Sequence, residues 1–267
     1  PYVAAEVSHA PKRAGGPWDV SHRQVEKTIL KADLVIGLNS LDTGCVQPLL
    51  AKPENLIQLQ PFMDWPPDHR GRREHLRRTW SGEFGLPREV PWLFTAAMMR
   101  PGAKQKSYDL LARALRRQKY NKYRLIIAGD GLARPEIEKA FKGLPVCFMG
   151  ERDSPELFSL MAASDLFVWP AVDEAYGMAL LEAHSQGLPV VAGESVGVRD
   201  IVRHEETGVL TPVGDAAAFS KMVFGLCGDR PRLDRMSRRA HQIFSQDHTL
   251  EAAAAKLAPA LEALIDG

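Results

Sequence analysis

Residues 173–193 read Asp-Glu-Ala-Tyr-Gly-Met-Ala-Leu-Leu-Glu-Ala-His-Ser-Gln-Gly-Leu-Pro-Val-Val-Ala-Gly. They follow an apolar run, Leu166–Trp169, that has the length of a buried strand. An acidic pair and a glycine lead into a helical segment that is almost apolar all round, which is typical of a buried helix. Gly-Leu-Pro ends this helix, and Pro-Val-Val-Ala begins another strand. The order strand, acidic loop, buried helix and strand predicts one unit of an α/β fold.

Glu182 is the one charged residue in the middle of this apolar helix. Burying a carboxylate without a partner is costly, and a fully buried Glu is rare. We therefore expect a hydrogen-bonding partner for Glu182, and a ligand hydroxyl is a good candidate.

From Pro91 onward, short apolar strands alternate with helices. The predicted strands are Trp92–Ala97, Tyr123–Ala128, Val146–Met149, Leu166–Trp169, Val190–Ala192 and Gly208–Thr211. The predicted helices are Ser107–Gln118, Pro135–Phe141, Pro155–Ala163, Gly177–Ser185, Val198–Arg203, Ala216–Cys227, Arg232–Phe244 and Thr249–Ile265. This alternation predicts an α/β fold with a doubly wound parallel sheet, whose ligands bind at the carboxyl ends of the strands.

The first 60 residues read as part of a second, smaller α/β layer. Its predicted strands are Tyr2–Val7, Leu34–Leu38 and Leu56–Leu59, and its predicted helices are Ser21–Leu30 and Leu41–Ala51. Three prolines between Gln60 and Pro67 indicate a linker. The start at Pro1, next to an apolar run, is typical of a piece cut from a longer protein, and a processed or engineered terminus is the alternative.

The composition is that of an ordinary globular protein. Of 267 residues, 45% are hydrophobic and 25% are charged, and the formal net charge of +1 predicts no general affinity for nucleic acid. The three cysteines are scattered and indicate neither a disulfide framework nor a zinc site. No apolar run reaches the length of a bilayer and no signal peptide is recognisable, so the cytoplasm is the expected compartment.

The segment from Arg70 to Arg78 is strongly basic, with five arginines opposed only by Glu74. One interpretation is a patch for anionic lipid or phosphate, which would place the chain at the inner face of a membrane. The other is a solvated helix face, and the sequence favours it because apolar anchors are few.

Loops that follow the strands of a doubly wound sheet face its ligand. Here they contain cations, glycines and carboxylates: Arg100, Lys104, Lys106, Gly129, Asp130, Gly131, Gly150, Glu151, Asp173 and Glu174. Cations and a helix N-terminus suit a diphosphate, and carboxylates accept hydrogen bonds from sugar hydroxyls. Together they predict a site for a sugar nucleotide.

Each of these features also has a structural interpretation. Arg100 and Lys106 could be surface charge ahead of a helix, and Gly129-Asp-Gly131 could be a plain turn. Asp173 and Glu174 could cap the following helix and interact with its dipole. Capping cannot explain Glu182, which lies too far into the helix.

Several motifs resemble those of retaining GT-B glycosyltransferases of family 4. The segment from Asp173 resembles their Glu-x7-Glu signature, with seven residues between Glu174 and Glu182. Met-Arg-Pro-Gly-Ala-Lys-Gln-Lys resembles their Arg…Lys diphosphate loop with one extra residue, where Lys106 fits the spacing best and Lys104 is the alternative. Leu-Ile-Ile-Ala-Gly-Asp-Gly, Cys-Phe-Met-Gly, Ser-Asp-Leu-Phe-Val-Trp-Pro and Gly-Val-Arg-Asp-Ile-Val match in the same order, so the resemblance covers roughly residues 55–265.

The resemblance implies a role for each matching residue. Arg100 and Lys106 would neutralise the diphosphate leaving group. Glu174 would hydrogen-bond the donor sugar and stabilise positive charge near its anomeric carbon, and Glu182 would bind the ribose hydroxyls. The remaining donor-binding residues are Gly129, Gly131, Gly150, Glu151, Tyr176, Gly177 and Met178, with the loop at Gly150 and Glu151 beside the base. No metal or other cofactor is implied.

The same resemblance gives a candidate residue and a domain assignment outside the donor site. His9 follows the first predicted strand and is a candidate for the family's His near the reacting sugar, with a surface histidine as the alternative. Residues 1–60 would be a remnant of the N-terminal acceptor-side domain, 61–248 the nucleotide-sugar-binding domain, and 249–267 a helix that crosses back to the N-terminal domain.

The expected activity is transfer of a hexosyl unit from a nucleoside diphosphate sugar to an unidentified hydroxyl acceptor. The alternatives are a GT-B-like sugar-nucleotide epimerase or hydrolase, and a donor-binding module that is inactive as this fragment. The sequence leaves the base, the sugar, the acceptor and the oligomeric state open.

Overall fold

The computed structural model describes residues 1–5, 7–118 and 122–266. The chain forms two compact units. Unit 1 consists of Pro1–Asp64 together with Gln246–Gly267, and unit 2 consists of Trp65–Ser245.

Unit 1 is built on a three-stranded parallel sheet in the order β1-β2-β3. The strands are β1 (Val3–Ala5), β2 (Leu34–Gly37) and β3 (Leu56–Gln58). The helices between them are α1 (Asp19–Lys31) and α2 (Ser40–Val46). The helix predicted to reach Ala51 ends at Val46, and a 3₁₀ turn containing Pro48 follows it, because proline lacks the N–H that a continuing helix needs.

Unit 2 contains a six-stranded sheet in which every pairing is parallel. Its strands are β4 (Trp92–Ala96), β5 (Arg124–Ala128), β6 (Val146–Gly150), β7 (Leu166–Trp169), β8 (Val190–Gly193) and β9 (Gly208–Thr211). Its helices are α3 (Arg73–Phe84), α4 (Ala103–Arg116), α5 (Arg134–Phe141), α6 (Ser154–Ala163), α7 (Met178–Ser185), α8 (Val196–Arg199), α9 (Ala216–Cys227) and α10 (Arg230–Asp247).

The predicted doubly wound α/β fold is confirmed. The strand order is β6-β5-β4-β7-β8-β9, so the direction of winding reverses between β4 and β7. The largest differences from the predicted helix bounds in unit 2 are at α4, which begins at Ala103 instead of Ser107, and at α8, which covers Val196–Arg199 instead of Val198–Arg203. The earlier start of α4 follows from Gly102, whose φ of 93° ends the preceding loop and allows the helix to begin at once.

The last helix, α11 (Leu250–Asp266), belongs to unit 1. Leu257, Leu261 and Leu264 pack against a buried cluster that includes Leu34 and Ile36 of the sheet. Just before the helix, the chain is held to the segment that follows β3: His248 Nδ1 lies 2.6 Å from the carbonyl oxygen of Pro61, and a parallel bridge pairs Met63 with Thr249.

The expectation that the basic segment forms a solvated helix face is wrong for Arg73 and Arg77. The Arg73 and Arg77 guanidinium groups bind the Asp165 carboxylate at 2.6 and 2.8 Å, and only 8% of the Arg77 side chain is exposed. Asp165 lies immediately before β7 and also accepts the backbone N–H of Trp92 at 2.8 Å. The sequence pattern could not show this because the partner is 88 residues away.

No helix in the described parts of the chain combines the length and apolar character needed to span a membrane.

Candidate functional site

The loops at the carboxyl ends of β4 and β7 flank the point where the winding of the unit 2 sheet reverses. In open α/β sheets this crevice is where ligands bind, because the loops leave it in opposite directions. β4 leads into Ala97–Arg100 and the start of α4, and β7 leads into Pro170–Gly177 and the start of α7.

Close backbone packing fixes the loop after β5 against the loop after β4. A side chain at Gly129 would place its Cβ 2.1 Å from the carbonyl oxygen of Ala97, and one at Gly131 would place it 2.4 Å from that of Met99. The Met99 N–H donates to the carbonyl oxygen of Asp130 at 2.8 Å. The structural role of the Gly-Asp-Gly segment is therefore more specific than a plain turn, since both glycines permit a contact that any side chain would block.

Glu174 is contacted by side chains from both α4 and β7. Its Oε2 atom accepts a hydrogen bond from Lys104 Nζ at 2.6 Å and another from Trp169 Nε1 at 3.1 Å. Only 13% of the Glu174 side chain and 22% of the Lys104 side chain are exposed. Lys104 Nζ also lies 5.4 Å from the centre of the Trp169 ring, within the range of a cation–π contact.

The structure brings Lys104, not Lys106, to Glu174. Lys104 is the second residue of α4, and Lys106 is exposed two residues further on. Two residues rotate the side chain by about 200° around a helix, so the two lysines point away from each other. Arg100 is exposed in the loop before α4 and forms no ion pair with any residue that the structure describes.

Glu182 lines a cavity of about 220 Å³ together with Gly129, Glu151, Arg152 and Ala179. Burial raises the pKa of the Glu182 carboxyl. Within residues 1–5, 7–118 and 122–266, no side-chain or backbone group donates a hydrogen bond to this carboxylate. The carboxylate that the sequence marked as needing a partner is thus left available to a molecule in the cavity.

The acidic loop between β7 and α7 has an unusual backbone. Ala171 and Asp173 both have φ near +52°, a left-handed conformation that costs a non-glycine residue about 1–3 kcal/mol. The loop is held from two sides: Ser107 Oγ accepts the Val172 N–H at 2.9 Å, and Ser195 Oγ donates to the carbonyl oxygen of Ala171. Such strain concentrates at binding and catalytic sites.

Neither carboxylate of the acidic pair caps α7. The N-cap is Gly177, with φ of 72° and no side-chain hydrogen bond, and the helix begins at Met178. A Cβ on Gly177 would lie 3.6 Å from Glu174 Cγ. The capping interpretation of Glu174 is therefore wrong. Tyr176 and Met178 flank this glycine, with Met178 38% exposed, and the helix N-terminus opens beside the Glu174 carboxylate.

Arg152 is a cavity residue that the sequence reasoning missed. Its Nε donates to the carbonyl oxygen of Met149 at 3.0 Å, and its Nη1 lies 3.1 Å from Glu156 Oε1. Gly150, at the end of β6, accepts the Gly129 N–H at 2.7 Å, which ties the two glycine loops together. Arg152 stands in the Gly150-Glu-Arg-Asp153 loop, so its position after a strand was the available signal.

His9 lies in unit 1, whereas the other candidate residues lie in unit 2. It stacks on His22 with ring centres 4.0 Å apart, and its Nε2 is 3.8 Å from Glu26 Oε2. Burial, and then the neighbouring His22, lower the pKa of His9. With only 14% of its side chain exposed, His9 is not a surface histidine.

Within the described residues, no three or more His, Cys, Asp or Glu side chains are grouped so that they could hold a metal ion.

Strand order, glycine contacts and the crevice between β4 and β7 define a Rossmann-like α/β domain, and similarity to solved structures assigns its fold to the GT-B type. A family model described as "Glycosyl transferases group 1" matches residues 91–229, just over half of the chain. The chain belongs to this family of glycosyltransferases.

Two curated relatives illustrate the similarity. The chain is 33% identical over 267 residues to D-inositol 3-phosphate glycosyltransferase of Nocardia farcinica, covering 93% of this chain and 58% of that protein. It is also 33% identical over 171 residues to GDP-mannose-dependent alpha-mannosyltransferase of Mycolicibacterium smegmatis, covering 63% of this chain and 42% of that protein. The chain therefore spans about half the length of these relatives.

A solved structure with the same fold is that of Anabaena Alr3699/HepE in complex with UDP. It superposes with a TM-score of 0.82 and 20% identity, covering 98% of this chain and 72% of that one.

Proposed function

We propose that this chain is the donor-binding part of a retaining, family 4 glycosyltransferase. It would take part in moving a hexosyl unit from a nucleoside diphosphate sugar to a hydroxyl acceptor, without a metal ion. The observation that carries the proposal is the placement of two carboxylates around α7. Glu174 lies at the switch point with Lys104, and Glu182 lines a cavity where no described residue donates a hydrogen bond to its carboxylate.

The two carboxylates have different surroundings and therefore suit different parts of one donor. The ionised Glu182 carboxylate accepts hydrogen bonds only, and a pair of ribose hydroxyls would supply the donors that the described residues do not. Glu151 and Arg152 line the same cavity and would lie beside the base. The diphosphate would then extend toward the start of α4 and the N-terminus of α7, where cations and backbone N–H groups favour an anion.

The two members of the Lys104–Glu174 ion pair would each contact a different part of the bound donor. A bound diphosphate would offer Lys104 a second anionic partner, and Arg100 would add a further positive charge to the leaving group. Glu174, still held by Trp169 Nε1, would be available to the sugar hydroxyls and to positive charge developing at the anomeric carbon. Cleavage of the bond between that carbon and the phosphate oxygen would leave the electron pair on the diphosphate.

The names of similar proteins support this proposal. Alr3699/HepE has been crystallised with UDP and with UDP-glucose, and the mycobacterial relative is described as GDP-mannose-dependent. These names disagree on the base, so the base is left to experiment.

The first experiment is isothermal titration of the 267-residue chain with UDP, GDP and ADP and with their hexose conjugates. We expect one base to bind, and Glu182→Gln to weaken that binding at least tenfold. The absence of binding by every nucleoside diphosphate would overturn the proposal.

The second experiment follows the sugar released or transferred from the donor that binds, using proton NMR to read the anomeric configuration of the first product. Retention and insensitivity to EDTA are expected. An inverted product would contradict the retaining mechanism, and an epimerised donor would identify the epimerase alternative. Binding without any turnover would identify a donor-binding module.

A further inference from the structure

A second cavity, of about 250 Å³, lies on the side of the unit 2 sheet opposite to the candidate donor site, at the other ends of the strands. Its lining includes Ser164, just before β7, and Gly187 and Leu188, just before β8. It therefore opens at the amino ends of the strands, whereas the candidate donor site lies at their carboxyl ends. We call it the arginine cavity because four arginines line it: Arg70, Arg73, Arg230 and Arg238.

The described lining of the arginine cavity contains no carboxylate. The nearest buried acid, Asp165, serves three guanidinium groups at once: Arg73 at 2.6 Å, Arg77 at 2.8 Å and Arg230 at 3.0 Å. One carboxylate cannot neutralise three guanidinium groups. The pKa of the Arg73 guanidinium is lowered chiefly by burial; Asp165 opposes this effect, and Arg77 and Arg230 add to it.

Exposed acids offset only part of this charge. Arg70 pairs with Asp68 at 2.8 Å, and Arg230 also pairs with Asp234 at 2.9 Å. Both acids lie outside the lining of the cavity.

Two polar side chains of the lining have no protein partner among the residues that the structure describes. Arg238 forms no ion pair or side-chain hydrogen bond, and neither does the Ser237 hydroxyl beside it on α10. A guanidinium group has five N–H donors in a planar fork that matches a phosphate, and a hydroxyl can add one more. Arg238 and Ser237 therefore supply donors where the described lining is positively charged and contains no carboxylate.

We propose that the arginine cavity binds a phosphoryl dianion, either inorganic phosphate or the phosphate monoester of a small molecule or lipid headgroup. A dianion would balance the charge that Asp165 leaves uncompensated, and a tetrahedral phosphate can accept from several guanidinium groups at once. The volume exceeds what a phosphate alone fills, which leaves room for a small organic substituent. The site is separate from the candidate donor site and does not depend on the proposed transferase activity.

The test titrates the 267-residue chain with inorganic phosphate and with glycerol 3-phosphate at constant ionic strength, using calorimetry. Arg238→Ala removes a side chain that holds nothing else, and we expect it to weaken binding roughly tenfold, the loss typical of one charge-assisted hydrogen-bonding group. Arg235→Ala is the matched control, because Arg235 is exposed on the same helix and does not line this cavity. Lys104→Ala is the second control and tests whether phosphate binds at the donor site instead.

Unchanged affinity in Arg235→Ala and Lys104→Ala, with a loss in Arg238→Ala, supports the proposal. A parallel titration with phosphatidylcholine vesicles containing phosphatidate identifies the source of the phosphate. Arg238-dependent vesicle binding assigns a lipid headgroup. Binding of inorganic phosphate or glycerol 3-phosphate without vesicle binding assigns a soluble ligand. No saturable binding by the unmodified chain, equal binding by Arg238→Ala, or a loss confined to Lys104→Ala would overturn the proposal.

Discussion

At the residue scale, the Glu182 carboxylate combines burial with the lack of a protein donor among the described residues. Its raised pKa means that the folded chain binds the carboxyl proton more tightly than the unfolded chain does. The ionised form therefore costs stability, which falls as pH rises from the ordinary carboxyl pKa through the raised one.

Glu182→Gln should remove this loss. We expect the variant to be more stable than the parent above that pH window and to match it below, while binding the donor nucleotide more weakly. Urea unfolding at a series of pH values, together with calorimetric titration of the nucleotide, measures both effects. A parallel pH dependence in the two proteins would show that Glu182 is not the group responsible.

Lys104 and Lys106 provide the second test at this scale. Since Lys104 holds Glu174 at 2.6 Å and Lys106 is exposed on α4, Lys104→Ala should lower the affinity for the nucleoside diphosphate about tenfold or more. Lys106→Ala should change it less than twofold. The reverse result would restore the lysine that the motif spacing favoured and would show that α4 shifts when the donor binds.

At the element scale, the loop after β7 and the short helix α8 touch through their backbones. A Cβ on Gly197 would lie 1.8 Å from the carbonyl oxygen of Ala175, in the acidic loop. Gly197→Ala should therefore destabilise the protein by about 1–3 kcal/mol, the usual cost of overpacking, and should also weaken donor binding.

Gly82→Ala is the control for this substitution. Gly82 is exposed within α3 and has open space where its Cβ would stand, so alanine there should stabilise the helix by up to about 1 kcal/mol. Chemical denaturation of both variants measures the two changes in the free energy of unfolding. A Gly197→Ala protein of unchanged stability would mean that α8 and the acidic loop can separate freely.

Arg77 ties α3 to the sheet through Asp165 and through the carbonyl oxygens of Ala163, Arg88 and Val90. Arg77→Ala should cost about 1–3 kcal/mol of stability, because the three carbonyl oxygens lose this charged donor, whereas Asp165 keeps Arg73, Arg230 and the Trp92 N–H. Arg78→Ala, on the exposed neighbour, should stay within about 0.5 kcal/mol of the parent. Equal denaturation midpoints for the two variants would restore the solvated-face interpretation of the basic segment.

These elements also show what local sequence patterns can and cannot predict. The strand Leu166–Trp169 and the helix Ala216–Cys227 were predicted with their observed bounds, since apolar runs and caps are local signals. The buried arginines were missed, because the Asp165 partner is supplied only by the tertiary fold. The sequence picked out Glu182 as a carboxylate in an apolar helix, and the structure places it in the lining of a cavity, whereas the Lys104 contact depended on the helix phase of α4.

At the scale of the whole molecule, each of the two units is built on a parallel sheet. The alternation of strands and helices predicted the parallel sheets. The strand order of unit 2, in which the direction of winding reverses between β4 and β7, is seen only in the hydrogen-bonded pairing of the strands. Because all six strands run parallel, two sets of cations lie at opposite ends of the strands: those of the candidate donor site at the carboxyl ends, and those of the arginine cavity at the amino ends.

The two ends of the chain meet within unit 1, where α11 covers the sheet. Leu261 packs against the cluster of Leu34, Ile36 and Leu59, whereas Ile265 on the same helix is 77% exposed. Leu261→Asp would put a charge against that apolar cluster, so it should destabilise unit 1 by about 2–4 kcal/mol.

Ile265→Asp introduces the same charge on the exposed face of α11, so it should have little effect. Hydrogen exchange followed by mass spectrometry should show faster exchange in β1, β2 and β3 for Leu261→Asp only. Nucleotide affinity should persist in both variants, because Glu174, Glu182 and Lys104 all belong to unit 2. Equal protection of the three strands in both variants would mean that α11 is not needed to stabilise the sheet of unit 1.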